Sequence, residues 1–176
     1  IAGATDITMG LPRVDELVEC RVPKSQAVIS SVPGVVLEIA DSESGSPGDK
    51  TIKILADDSV KKDDVGSQTY EFEVPYGKTV LVNEGEKVVA GSKISEGAVN
   101  LKDLMSVAGA AAVQNYVLFE MQQLYTFQGA TINDKHIEII ARQMFSRVRV
   151  KESGDTSLIP GEVIEKGKFR EENIKA

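Results

Sequence analysis

The chain has 176 residues, 41% hydrophobic and 27% charged, with a net charge of −7. That is enough for one substantial domain or two small ones around an ordinary soluble core. No run of about eighteen apolar residues offers a membrane span, and the N-terminus lacks a signal peptide's basic start and apolar stretch, so no membrane partner is expected and the expected compartment is the cytoplasm.

Charge is spread unevenly. From Glu38 to Glu73 ten acids stand against four lysines, a balance of −6. From Thr131 to Lys151 the sign reverses, with Lys135, Arg142, Arg147, Arg149 and Lys151 against Asp134 and Glu138. An acidic whole argues against a general nucleic-acid binder, yet one end is basic. Cys20, the sole cysteine, cannot form an internal disulfide and reads as a small buried apolar residue in a helical pattern. One Cys and one His disfavour a protein-made zinc site.

In chain order, a flexible I-A-G-A-T precedes a helix that tolerates Pro12 in its first turn and carries Val14, Leu17, Val18 and Arg21, ending at Pro23. Ser25 to Ile39 alternates and predicts two strands about a Pro33-Gly34 turn. Asp41 to Gly66 is an acidic, glycine-punctuated excursion, read as an extended charged hairpin in preference to an active-site lid, with a short strand over Thr51 to Leu55. Thr69 to Pro75, Thr79 to Val82, Lys87 to Val89 and Lys93 to Glu96 follow as short strands separated by glycine turns. Together they make a small β-barrel or sandwich pattern.

A helical turn over Asn100 to Met105 leads into the longest helix, Gly109 to Gln128, whose Val113, Tyr116, Val117, Met121, Leu124 and Tyr125 span a wide arc. Gly129 ends it. The best-marked element is next: in T-I-N-D-K-H-I-E-I-I-A-R-Q-M, Asn133 is the N-cap, Asp134 suits the first turn and Ile132 is placed to staple onto Ile137. Ile137, Ile140, Ala141 and Met144 form an apolar stripe, while Lys135, Glu138 and Arg142 occupy another face, with Glu138 and Arg142 an expected ion pair. Ser146 to Val150 predicts a basic strand, G-D-T-S-L-I-P-G-E-V-I-E a turn-rich pair of strands, and the polar last residues fraying. The expected fold class is α+β: a small barrel or sandwich-like module packed with a pair of consecutive helices. Its expected divisions are residues 1–24, 25–100 with the excursion at 41–66, 101–150 and 151–176.

Catalytic chemistry is hard to find. His136 follows Lys135 with no nucleophile near it in sequence, which favours a structural or phosphate-contacting role. The Asp57-Asp58 and Asp63-Asp64 pairs read as solvated surface, since nothing fixes an octahedral metal site. V-N-E-G-E-K-V-V-A-G-S-K-I is similar to the hairpin of lipoyl and biotin carrier domains, but Lys93 lies in a strand pattern rather than at a hairpin tip. Gly91-Ser92-Lys93 lacks P-loop spacing. No catalytic residue and no metal ligand is assigned.

Two stretches carry a family resemblance. D-I-T-M-G-L-P-R-V-D-E-L-V-E-C-R-V-P-K, from Asp6 to Lys24, resembles the segment of the largest (β′) subunit of bacterial RNA polymerase that leaves the trigger loop and enters the jaw. N-D-K-H-I-E-I-I-A-R-Q-M is similar to a second signature of that subunit, and V-P-Y-G, V-N-E-G-E-K-V-V-A-G, Q-N-Y-V-L-F-E-M-Q-Q-L-Y and G-D-T-S-L-I-P-G-E-V match in order and spacing. The likeness covers nearly the whole chain. It departs from the family pattern at Val18, Cys20 and Val22, and in the length of the acidic excursion.

The resemblance implies a fragment, itself inactive, of a nucleotidyltransferase. Magnesium serves the whole enzyme at aspartates elsewhere, and no cofactor is implied here. Residues up to about Val18 would belong to the trigger loop, and the jaw would lie along downstream duplex DNA. Implied partners are the other polymerase subunits (β, α, ω and σ), that duplex and transcription factors. Arg13, Arg21, Lys24, Lys135, His136 and Arg142 are the expected DNA-facing residues, the competing reading for each being an intramolecular ion pair. The alternative function is a free-standing binding module, either a carrier-like barrel or a factor-docking domain.

Overall fold

A computed structural model describes residues 10–42, 48–57 and 68–176. The expectations for the opening residues to Met9, and for Asp58, Asp63 and Asp64, lie outside them. The chain divides into two compact units, Ile1–Val113 and Gln114–Ala176.

The first described element is helix α1, Leu11–Val18, with Pro12 in its first turn as expected. It ends earlier than the apolar pattern suggested. The Cys20 N–H donates to the Leu17 carbonyl at 3.2 Å and the Arg21 N–H to the Glu16 carbonyl at 3.0 Å, the paired bonds of a Schellman ending. Cys20 therefore occupies the left-handed position after the helix, at φ 53°, where glycine is usual. It is half-buried at a turn, not a core residue within the helix.

A curled four-stranded antiparallel sheet in the order β3-β2-β1-β4 forms the body of this unit. Its strands are β1 (Gly34–Asp41), β2 (Lys50–Ala56), β3 (Thr69–Val74) and β4 (Lys87–Val88). Among the described residues of the acidic excursion, Asp41 and Lys50–Ala56 are thus ladder. β1 and β2 pair from Gly34 opposite Ala56 to Asp41 opposite Lys50, with a bulge between Val36 and Glu38. Gly34 does not turn the chain. It is buried within β1, where a Cβ would lie 2.1 Å from the Leu55 carbonyl oxygen, so only a residue without one permits this approach. The strands expected around residues 26–30, 79–82 and 93–96 reduce to isolated bridges, Gln26 with Ala98, Ile29 with Lys93 and Val80 with Ser95. Inside the curl, Val32, Val36, Ile52, Ile54, Val74, Val82, Val88 and Ile94 form one core. Each such side chain contributes about 1.5–3 kcal/mol on full burial.

Helix α2, Leu101–Phe127, is one run interrupted at Gly109, whose φ of 80° and ψ of −177° break the helical geometry where the sequence placed a new helix start. The Asn100 side chain caps its beginning by accepting from the Lys102 N–H at 3.1 Å. Val113, Val117 and Met121 supply its buried side. It ends in a second Schellman turn, the Ala130 N–H on the Tyr125 carbonyl at 2.9 Å and the Gly129 N–H on that of Thr126 at 3.0 Å. Gly129 is left-handed as its sequence position required.

Helix α3 spans Asp134–Met144, and a two-stranded ladder pairs β5 (Arg147–Arg149) with β6 (Val163–Glu165). The C-terminus is helical rather than frayed. Helix α4, Lys166–Lys175, lays Phe169 against the small core of Val150, Leu158 and Ile164. The Lys166 N–H donates to the Ser146 carbonyl at 2.9 Å, and the Ser157 hydroxyl donates to the Glu172 carboxylate at 3.2 Å. The α+β class with a small curled-sheet module and consecutive helices is the fold observed.

Candidate nucleic-acid interface

Helix α3 starts where local sequence dictates. Asn133 is extended at φ −72° and ψ 136°, and its side chain accepts from the Lys135 N–H at 3.0 Å. Asp134 lies in the first turn and Arg142 in the last, each sign complementing the helix dipole. A tertiary contact adds to this cap. The Gln122 side-chain amide of α2 donates both to the Ile132 carbonyl at 2.7 Å and to the Asp134 carboxylate. The helix start is thereby tied to its neighbour at two points.

The 3.6-residue period puts Ile137, Ala141 and Met144 on one side of α3, and Lys135, Ile139 and Arg142 on the opposite side. Burial follows that division: Ile137 and Ala141 are enclosed, and Lys135, His136, Glu138 and Arg142 are exposed. Two details differ from expectation. Ile140 lies at the edge of the stripe and is exposed, and Ile139 stands 66% exposed between the cations. The expected Glu138–Arg142 ion pair is not among the salt bridges of the described residues. An exposed pair at that spacing is worth only about 0.3–0.5 kcal/mol, so solvent competes for both partners. The two side chains instead line a groove with Gln114, Asn115 and Leu118 of α2.

The remaining cations belong to the first unit. Arg21 and Lys24 are exposed, and Arg21 pairs with Glu19. Arg13 differs. It is 4% exposed and bound to Glu16 one helical turn on, so its charge is satisfied inside its own chain and its guanidinium is enclosed. For Arg13 the intramolecular pair replaces the expected outward contact. A buried pair of this kind fixes α1 geometry, and removing one partner strands the other.

Arg147 and Arg149 also belong to the basic stretch. Both are exposed on β5, two residues apart and so on one face of the strand. The R-V-R alternation is the sequence signal for that placement. Lys93 is held in an isolated bridge opposite Ile29 rather than in a strand.

Residues 2–167 match the family described as RNA polymerase Rpb1, domain 5. The chain belongs to that family, and the resemblance to the β′ subunit read from its motifs holds along its length. It is similar to the DNA-directed RNA polymerase subunit beta' of Caldicellulosiruptor saccharolyticus, 46% identical over 176 residues, all of this chain and 14% of the relative. The corresponding subunit of Thermoanaerobacter pseudethanolicus is 47% identical over the same 176 residues and is likewise covered to 14%. That of Heliobacterium modesticaldum is 43% identical over 171 residues, 97% of this chain and 13% of the relative. The chain thus spans about one seventh of the length of the curated relatives it matches.

Proposed function

We propose that this chain acts as a non-catalytic part of the largest subunit of a DNA-dependent RNA polymerase, guiding downstream duplex DNA and supporting the trigger loop. The observation that carries the reading is the outer face of α3, where Lys135 and Arg142 are exposed and form no salt bridge among the described residues. The helix bearing them is anchored by Asn133 and Gln122. Duplex DNA carries dense phosphate charge, and a few fixed cations bind it by releasing counterions without reading sequence. Such contacts suit an enzyme that must move along any template.

Lys135, His136 and Arg142 are the DNA-facing group of the second unit, and Arg21 and Lys24 that of the first. Arg13 is assigned a supporting role through Glu16. Nucleotide addition, with its magnesium, is assigned to residues of the whole enzyme outside this chain. The partners are the β, α, ω and σ subunits, downstream DNA and transcription factors, in the cytoplasm at the nucleoid. Exposed Ile139 favours a second use of the same face, packing against a neighbouring part of the polymerase.

The test is K135E/R142E in the assembled polymerase. Downstream-duplex complexes should dissociate faster in salt challenge, and the dependence of lifetime on salt should flatten. An unchanged lifetime would sink the assignment. Sizing the native polypeptide tests the free-standing alternative: a species near the chain's own 19.0 kDa without RNA-synthesis activity would favour a separate module.

A further inference from the structure

The sheet of the first unit ends at β3, which pairs with β2 and with no other described strand. The Ala56 N–H donates to the Gln68 carbonyl at 3.0 Å, and the register runs on through Thr69 opposite Leu55 and Tyr70 opposite Ile54. Antiparallel ladders alternate, so Tyr70, Phe72 and Val74 direct their backbone groups at β2, and Thr69, Glu71 and Glu73 direct theirs at the open edge. Those outward N–H and C=O groups have no backbone partner among the described residues.

The side chains of the same three residues stand on the outer face, where all are exposed. Glu71 lies opposite Lys53, but the Lys53 ammonium bonds Glu38 at 3.0 Å, and neither Glu71 nor Glu73 has an ion pair among the described residues. The edge contains no proline, lysine or bulge, the usual devices that keep a strand from being extended. Its one device is negative charge. Two copies pairing through β3 would bring glutamates against glutamates, which is unfavourable, so the edge excludes itself and selects the opposite sign.

We propose that β3 is a docking edge for an extended basic segment of another protein. That segment adds as a fifth strand beside β3, its backbone bonding to Thr69, Glu71 and Glu73 and its alternate Lys or Arg side chains facing Glu71 and Glu73. Backbone bonds supply the pairing and the carboxylates the choice of partner. The inference is independent of the DNA-facing role assigned to α3.

The experiment uses the assembled polymerase carrying this chain and three fluorescein-labelled decapeptides, read by anisotropy. One alternates lysine with valine and threonine, the second has glutamate for lysine, and the third is the lysine peptide N-methylated at alternate residues. E71K/E73K changes exposed side chains only, and E71P removes an outward N–H that β2 does not use. The lysine strand should bind, the glutamate and N-methylated strands should not, and E71K/E73K should weaken binding about tenfold, two charge pairs being reversed. E71P should weaken it as well. Equal binding of the N-methylated peptide would reduce the contact to charge alone, and full binding to E71K/E73K or E71P, or no binding of the lysine strand, would overturn the proposal.

Discussion

Gln122 on α2 donates its side-chain amide to Asp134 in the first turn of α3, and the same amide holds the Ile132 carbonyl at 2.7 Å. One side chain therefore satisfies a backbone acceptor at the turn and steadies a first-turn carboxylate. The cationic face of α3 inherits its orientation from this contact.

Gln122→Ala should destabilise the start of α3 by about 1–2 kcal/mol, the range for hydrogen bonds involving a charged group with allowance for exposure. Gln122→Glu should cost more, because it sets a second carboxylate against Asp134. Amide exchange along α3 should accelerate in both variants while the β1–β2 ladder keeps its protection. Unaltered exchange in α3 would show that Asn133 alone fixes the helix.

Cys20 is a non-glycine residue at φ 53° in the left-handed position that closes α1. Cys20→Gly should raise stability by about 0.5–1 kcal/mol, the relief of left-handed strain exceeding the added freedom of the unfolded chain. Cys20→Val should lower it, since a β-branched residue tolerates that conformation worst. Denaturant midpoints of the two variants, compared with the parent, decide the matter.

At Gly34 the constraint is space. An added methyl would meet the Leu55 carbonyl oxygen at 2.1 Å, so Gly34→Ala must push β1 from β2. The expected loss is about 1–3 kcal/mol, the usual range for overpacking. Thermal unfolding should show it, and Gly167→Ala offers a comparison in which an added Cβ meets nothing within 4 Å.

The end of α4 should respond to pH. A hydrogen bond from Lys175, then one from Ser157, holds the Glu172 carboxyl below its ordinary value of 4.5. A depressed carboxyl contributes stability that is present above 4.5 and is lost as pH falls through the lowered value. Lys175 is raised above 10.5 chiefly by its bond to Glu172, so its contribution is present below 10.5 and is lost as pH rises through the raised value. Amide exchange over residues 172–176 should therefore gain an acid-side increase in fraying that Glu172→Gln removes. A profile identical in the variant would contradict this.

What the sequence determined by itself is local. Asn133, Asp134 and Gly129 act on backbone groups within a few residues, so their caps and turns could be read directly, and helical spacing placed Lys135 and Arg142 opposite Ile137 and Ala141. The β2 and β3 strands were legible too, as short strands at Thr51 to Leu55 and Thr69 to Pro75 in a stretch punctuated by glycine turns. What only the tertiary structure decided rests on neighbours distant in sequence. Pro33-Gly34 carries an ordinary turn signature, yet Gly34 is required by the approach of Leu55, about twenty residues on. Arg13 had the look of a surface cation until packing enclosed it with Glu16. Helix α4 has little apolar pattern of its own and depends on Val150, Leu158 and Ile164 to receive Phe169. Short-range hydrogen bonds are encoded by residue type at fixed offsets, whereas burial and close approach depend on which distant segments meet, and no local window contains that information.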